Sequence, residues 1–165
     1  MLEKQSPYLS HQNRLSDVIA AIQVMGVYRH SARKIEAWVE LLGNKPKSAD
    51  NWLKIFNEHP EFFRAGLDED GFHTLVLRRA QPRTYNTKTG DEISIKEFKA
   101  LEQSARKQYS RRPLSTEQIL ALIDAAAKLQ TQATIRRQEL RWWVSIVVTA
   151  LAALAGSIIG ATWST

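Results

Sequence analysis

Four histidines, His11, His30, His59 and His73, are the first residues to weigh for chemistry. An imidazole binds metals and moves protons near neutral pH. No two of them form HExxH or another ligand pair at helical spacing. They fall in predicted loops and one strand, so each reads as a surface or hairpin histidine. The run Asp68-Glu69-Asp70 places three carboxylates in a predicted turn facing water, with nothing beside them to raise a pKa for acid catalysis. There is no cysteine, which removes disulfides, thiol nucleophiles and cysteine-based zinc sites. The chain has no GxSxG, no phosphate loop and no dinucleotide fingerprint. The expectation is a protein that is not an enzyme, with no catalytic residue, no metal and no cofactor.

The basic residues are the other chemistry-bearing set. The net charge is +6, unevenly placed. Residues 1–92 hold 13 Lys/Arg against 12 Asp/Glu, whereas residues 93–114 hold 6 against 2. Lys54, Arg78, Arg79, Arg83, Arg111 and Arg112 are therefore the candidate contacts for nucleic acid or anionic lipid. A basic belt lying on anionic headgroups gains about 1 kcal/mol per residue. The same belt can equally stay solvated.

Local patterns predict the elements that carry these residues. Leu15, Val18, Ile19 and Ile22 repeat at helical spacing after Asn13, with Gly26 following. Ile35, Trp38, Val39 and Leu42 do so after Ser31, stopped by Gly43. Ser48 opens a third helix containing Trp52, Leu53, Ile55 and Phe56, ended by Pro60. Asp70-Gly71 between the apolar runs 62–65 and 72–79 signals a hairpin. Helix, helix, helix, hairpin is the order of a winged helix, predicted over 1–86. DNA binding rests largely on phosphate neutralisation, and a nearly balanced domain with an acidic turn supplies little. A protein-contact role is the better expectation, and duplex DNA is the disfavoured one.

Residues 87–114 read as a basic linker with a short helix opened by the capping box Ser94/Glu97. Ser115/Gln118 opens another helix, predicted over 115–141. Its stripe Ile119, Leu122, Ala126, Leu129, Ala133 and Leu140 suits either a coiled-coil seam or a face packed on the protein's own domain.

After Arg141 no charged residue follows. Residues 142–163 would make a helix about 33 Å long, close to the hydrocarbon thickness of about 30 Å. Trp142, Trp143 and Trp163 sit at its ends, as in an aromatic belt, and Arg136, Arg137 and Arg141 precede it, which places the N-terminus in the cytoplasm. Ala152, Gly156 and Gly160 recur every four residues, the small-residue spacing of helix pairs in lipid. The first residues, MLEKQSPYLSHQ, lack the apolar core of a cleavable signal peptide.

The runs RLSDVIAAIQVMGVY (14–28), FNEHPEFFRAG (56–66), TLVLRRAQPRTYN (74–86), RRPLSTEQILALI (111–123) and RRQELRWW (136–143) resemble a family of small bacterial membrane proteins. Its members often carry the automatic label N-carbamoyl-L-amino-acid hydrolase. The resemblance spans nearly the whole chain and implies a bacterial membrane protein with one C-terminal span. The label implies a metal-dependent amidohydrolase with several His, Asp and Glu ligands in a far larger domain. This sequence lacks such a ligand set, so no catalytic residue is carried over.

The expected fold is mainly α with a small β hairpin: a winged-helix-like cytoplasmic domain, linker helices and one C-terminal transmembrane helix. The expected function is a tail-anchored adaptor or scaffold of the bacterial inner membrane. It would contact lipid, bind a protein partner and self-associate through its span. A membrane-tethered DNA-binding regulator and a small oligomerising membrane effector are the alternatives.

Overall fold

The computed structural model describes residues 6–43, 45–66 and 71–162, with side chains through residue 139. A short 3-10 turn, Pro7–Leu9, leads into helix α1, Arg14–Val27. Strand β1 (Ala32–Lys34), helix α2 (Ile35–Leu42) and helix α3 (Trp52–Glu58) follow. Strands β2 (Phe63–Ala65) and β3 (Phe72–Leu75) then precede a four-residue helix α4 (Val76–Arg79). The sheet is antiparallel in the order β1-β3-β2, so His73 stands opposite Arg33 on one side and Ala65 on the other.

A second, two-stranded sheet pairs β4 (Tyr85–Asn86) with β5 (Tyr109–Ser110). Between these strands lie helices α5 (Ile95–Ala100) and α6 (Gln103–Arg106). Helix α7 runs over Thr116–Thr162.

The helix starts follow local chemistry. Ser94 accepts the Glu97 N–H while Glu97 accepts the Ser94 N–H, and Ser115 and Gln118 repeat this arrangement. Other starts are displaced by tertiary partners. Ser48 does not cap α3. Its N–H (2.7 Å) and hydroxyl (2.5 Å) both donate to Asp17 on α1, and Asn51 accepts the Lys54 N–H instead. Ser31 lies before β1, where its N–H donates to Ser110 Oγ at 2.9 Å. Gly26 does not stop α1. It lies within the helix, and a Cβ there would meet Ile119 at 3.1 Å.

The core forms around the buried face of α1, namely Val18, Ala21, Ile22 and Met25. Trp38, Trp52, Ile55, Phe56, Phe62, Phe63 and Leu75 pack with it. Trp38 is fully buried, and its indole N–H donates to the His73 carbonyl at 2.9 Å, fixing α2 to the central strand. Leu114, Ile119 and Ala126 belong to the same cluster. The first part of the α7 stripe, Ile119, Leu122 and Ala126, is therefore packed against its own domain, whereas Leu129 is exposed. Each large apolar side chain so removed from water contributes about 1.5–3 kcal/mol.

Two expectations are corrected. The chain is mixed α and β, with two small sheets rather than a single hairpin. The stretch read as a basic linker, residues 87–114, carries helices α5 and α6 and strand β5, which pairs with β4, and the Leu114 N–H donates to the Gly26 carbonyl at 2.9 Å. Further, no helix among the described residues is long and apolar enough to cross a membrane. On that finding the transmembrane helix, the tail anchor and the single-pass inner-membrane placement are withdrawn. The side chains on which those expectations fell, Arg141, Trp142, Trp143, Ala152, Gly156, Gly160 and Trp163, lie outside the described residues.

Candidate functional site

The site grows from one buried arginine. Helix α4 follows β3 directly and turns Arg78 under the C-terminal end of α1, where it is fully buried. Its Nη1 donates to the carbonyls of Met25 (2.8 Å) and Tyr28 (2.6 Å). Nη2 donates to the Arg111 carbonyl at 2.7 Å, and Nε to that of Arg112 at 3.2 Å. Carbonyls near a helix C-terminus lack intrahelical donors and carry the negative end of the helix dipole, so a cation suits them. Burial lowers the Arg78 pKa to about 10, and the neighbouring Arg111 charge adds to the shift. Arg78 is thus a structural clamp. Its assignment to nucleic acid or anionic lipid is corrected, because its guanidinium is spent on the chain's own backbone.

That clamp dictates what lies outside it. The carbonyls of Arg111 and Arg112 turn inward to Arg78, while Arg111 is half-buried and Arg112 exposed. Arg111 anchors through Nε, which donates to the carbonyls of Arg79 (3.2 Å) and Gln81 (3.1 Å). Arg79 Nη1 donates to Ala65 at 3.3 Å, and Arg83 Nη2 to Tyr109 at 3.2 Å. Arg79, Arg83 and Arg111 have no carboxylate partner among the described residues. Burial first, then the charges of Arg83 and Arg79, push the Arg111 pKa down. Like charges held this close favour a bound anion. Arg112 is different, since it faces Glu92 at 3.7 Å with both groups well exposed. A surface pair of that kind is worth about 0–1 kcal/mol.

Three of the six predicted basic residues, Arg79, Arg83 and Arg111, are thereby brought together, while the Arg112 side chain faces Glu92. Lys54 is not joined to them. It is exposed on α3, and no ion pair or hydrogen bond links it to the arginines. Arg136 and Arg137 are exposed on α7.

Sequence reading missed Arg29 and Arg33, which act on the half-buried His30. Arg33 lies over the Tyr28 ring at 5.0 Å, and its Nη1 donates to the Ala37 carbonyl. Burial, then the charges of Arg29, Arg33 and Arg78, lower the His30 pKa. The signal was present in the run YRHSARK, residues 28–34, which packs basic groups into seven positions.

The histidines divide. His11 is exposed and accepts the Asn13 N–H. His59, expected at the surface, is fully buried; its ring lies 4.5 Å from that of Tyr8 and its Nδ1 is 3.0 Å from Glu61. Burial would raise the Glu61 carboxyl, but hydrogen bonds from His59 and Tyr8 more than offset this and hold it below the usual value. Burial and Glu61 push the Tyr8 hydroxyl far above its ordinary range. His73 is buried in β3, and its Nδ1–H donates to the Gly71 carbonyl at 2.9 Å. Among the described residues, no group of three or more His, Asp or Glu side chains is placed to hold a metal ion.

What the arrangement can do is hold an anion on a preset arginine surface. No protein-family model, curated protein or solved structure matches this chain.

Proposed function

We propose that the chain is an adaptor, whose winged-helix-like domain binds a protein partner. The observation that carries this reading is the outer face of α3, the helix that enters the DNA groove when such a domain reads a duplex. Trp52, Ile55 and Phe56 are buried, so the face left to solvent is Leu53, Lys54 and Asn57. It offers one cation. Leu53 is 39% exposed and Leu41, near the end of α2, is 38% exposed. The Trp52 indole N–H donates to the Gly43 carbonyl at 2.9 Å, which holds the end of α2 beside the start of α3. A face mixing leucine with few charges suits a polypeptide better than a phosphate backbone. The DNA-regulator reading needs Arg78, Arg79 and Lys54 on one face, and Arg78 is internal.

The test is photo-crosslinking in cells with a photoreactive residue at position 53, compared with one at the exposed Asp124 of α7. Polypeptide adducts concentrated at position 53 are expected. Nucleic-acid adducts at position 53, or the same adducts at both positions, would overturn the reading.

A further inference from the structure

We propose that Arg79, Arg83 and Arg111 form a docking surface for an acidic polypeptide segment, bound through its carboxylates. This rests on the adaptor reading above and names the chemistry of the partner.

The unused donors point to this ligand. Arg111 is anchored by Nε alone, which leaves Nη1 and Nη2 without a protein partner among the described residues. Arg79 commits only Nη1 and Arg83 only Nη2. A guanidinium fixed at one nitrogen presents its remaining N–H groups in a planar fork that matches a carboxylate. The anchoring carbonyls hold each fork in place without neutralising its charge. Arg111, half-buried with two backbone bonds, has the least side-chain freedom to lose on binding, which favours affinity.

The size of the cluster favours carboxylates over a phosphate polymer. Duplex affinity comes from neutralising many phosphates at once, and Arg112, the next cation along the chain, is already paired with Glu92. Three arginines fit a short acidic run instead. The surface is also preset, because Arg78 holds the backbone of residues 111–112 against α1.

The experiment measures fluorescence anisotropy of a labelled hexaglutamate peptide titrated with the full chain at low salt. Inorganic phosphate, a short DNA duplex and phosphatidylserine vesicles serve as competitors. Binding is expected to weaken as salt is raised. Arg83→Glu, an exposed position with one backbone bond, should weaken it about tenfold, and Arg79→Ala with Arg111→Ala at least as much. Lys128→Ala, on α7, should leave it unchanged. Thermal melting confirms that Arg83→Glu remains folded. No binding of hexaglutamate, an equal loss in Lys128→Ala, or displacement by duplex or vesicles at lower charge concentration than by free hexaglutamate would overturn the proposal. If hexaglutamate fails while adducts persist at position 53, only this surface falls. If it binds while no polypeptide crosslinks at position 53, the adaptor reading falls and the anion surface stands.

Discussion

The guanidinium of Arg78 reaches the Met25 carbonyl at 2.8 Å, joining residues 53 apart in the chain. Through the same side chain the backbone at Arg111 and Arg112 is drawn to the end of α1. One residue thereby links the first helix, the end of the three-stranded sheet and the segment that leads to α7.

Arg78→Met should lower stability by about 3 kcal/mol or more, because several buried carbonyls lose charge-assisted donors at once. Arg78→Lys keeps the charge but cannot reproduce the fork, so it should rescue less than half of the loss. Urea unfolding of the two variants beside the parent measures this. A cost below about 1 kcal/mol for the methionine variant would refute the clamp.

Gly26 tests how α7 docks. Gly26→Leu should pry α7 from α1, since even a Cβ would meet Ile119 at 3.1 Å. Hydrogen exchange over residues 119–133 should speed up while that of β3 stays slow. Gly26→Ala should change stability by less than about 1 kcal/mol. The helix gains from losing a glycine, and the flexible Ile119 side chain yields by a few tenths of an ångström.

Asp17 holds the connection between α2 and α3. It accepts the N–H groups of Lys47 (3.1 Å) and Ser48 (2.7 Å) together with the Ser48 hydroxyl. Asp17→Ala should cost about 2–3 kcal/mol, because buried donors are left unsatisfied. Ser48→Ala removes only the hydroxyl and should cost about 1 kcal/mol, read from the same urea curves.

His73 should make stability sensitive to mild acid. Its pKa is lowered from 6.5 by burial, against the raising effects of the Gly71 carbonyl and the Glu36 charge. Across β1 it faces Arg33, and the Phe56 ring lies 5.4 Å away. A histidine with a lowered folded pKa binds fewer protons folded than unfolded. Its stabilising contribution is complete above pH 6.5 and is lost as pH falls from there toward the folded pKa. The slope in that window is at most about 1.4 kcal/mol per pH unit for one group. His30, lowered in the same direction, adds to it. His73→Gln should flatten the loss between pH 6.5 and 5, measured by urea midpoints across that range. An unaltered pH profile would remove His73 as the cause.

Much of the local structure was legible. The two capping boxes mark the starts of α5 and α7, because each closes its hydrogen bonds within four residues. The apolar runs on either side of Asp70-Gly71 mark β2 and β3, although the second, 72–79, leaves the sheet after Leu75, where α4 begins. Strand β1 was not legible. Ala32-Arg33-Lys34 has no strand-forming character and is extended because β3 offers it a pairing edge. Ser31 and Ser48 carry cap chemistry, yet Ser110 and Asp17 take them elsewhere. The α7 stripe was readable as apolar, but not what would cover it.

The sequence alone determined that cysteine chemistry is absent, that positive charge gathers in residues 93–114, and where several helices begin. These follow from composition and from contacts within a few residues. Only the tertiary structure decided that Arg78 turns inward while Arg79, Arg83 and Arg111 stay at the surface. Identical guanidiniums have identical local propensities. What separates them is the convergence of carbonyls from residues 25, 28, 111 and 112 on a single point, which exists only once the segments have packed.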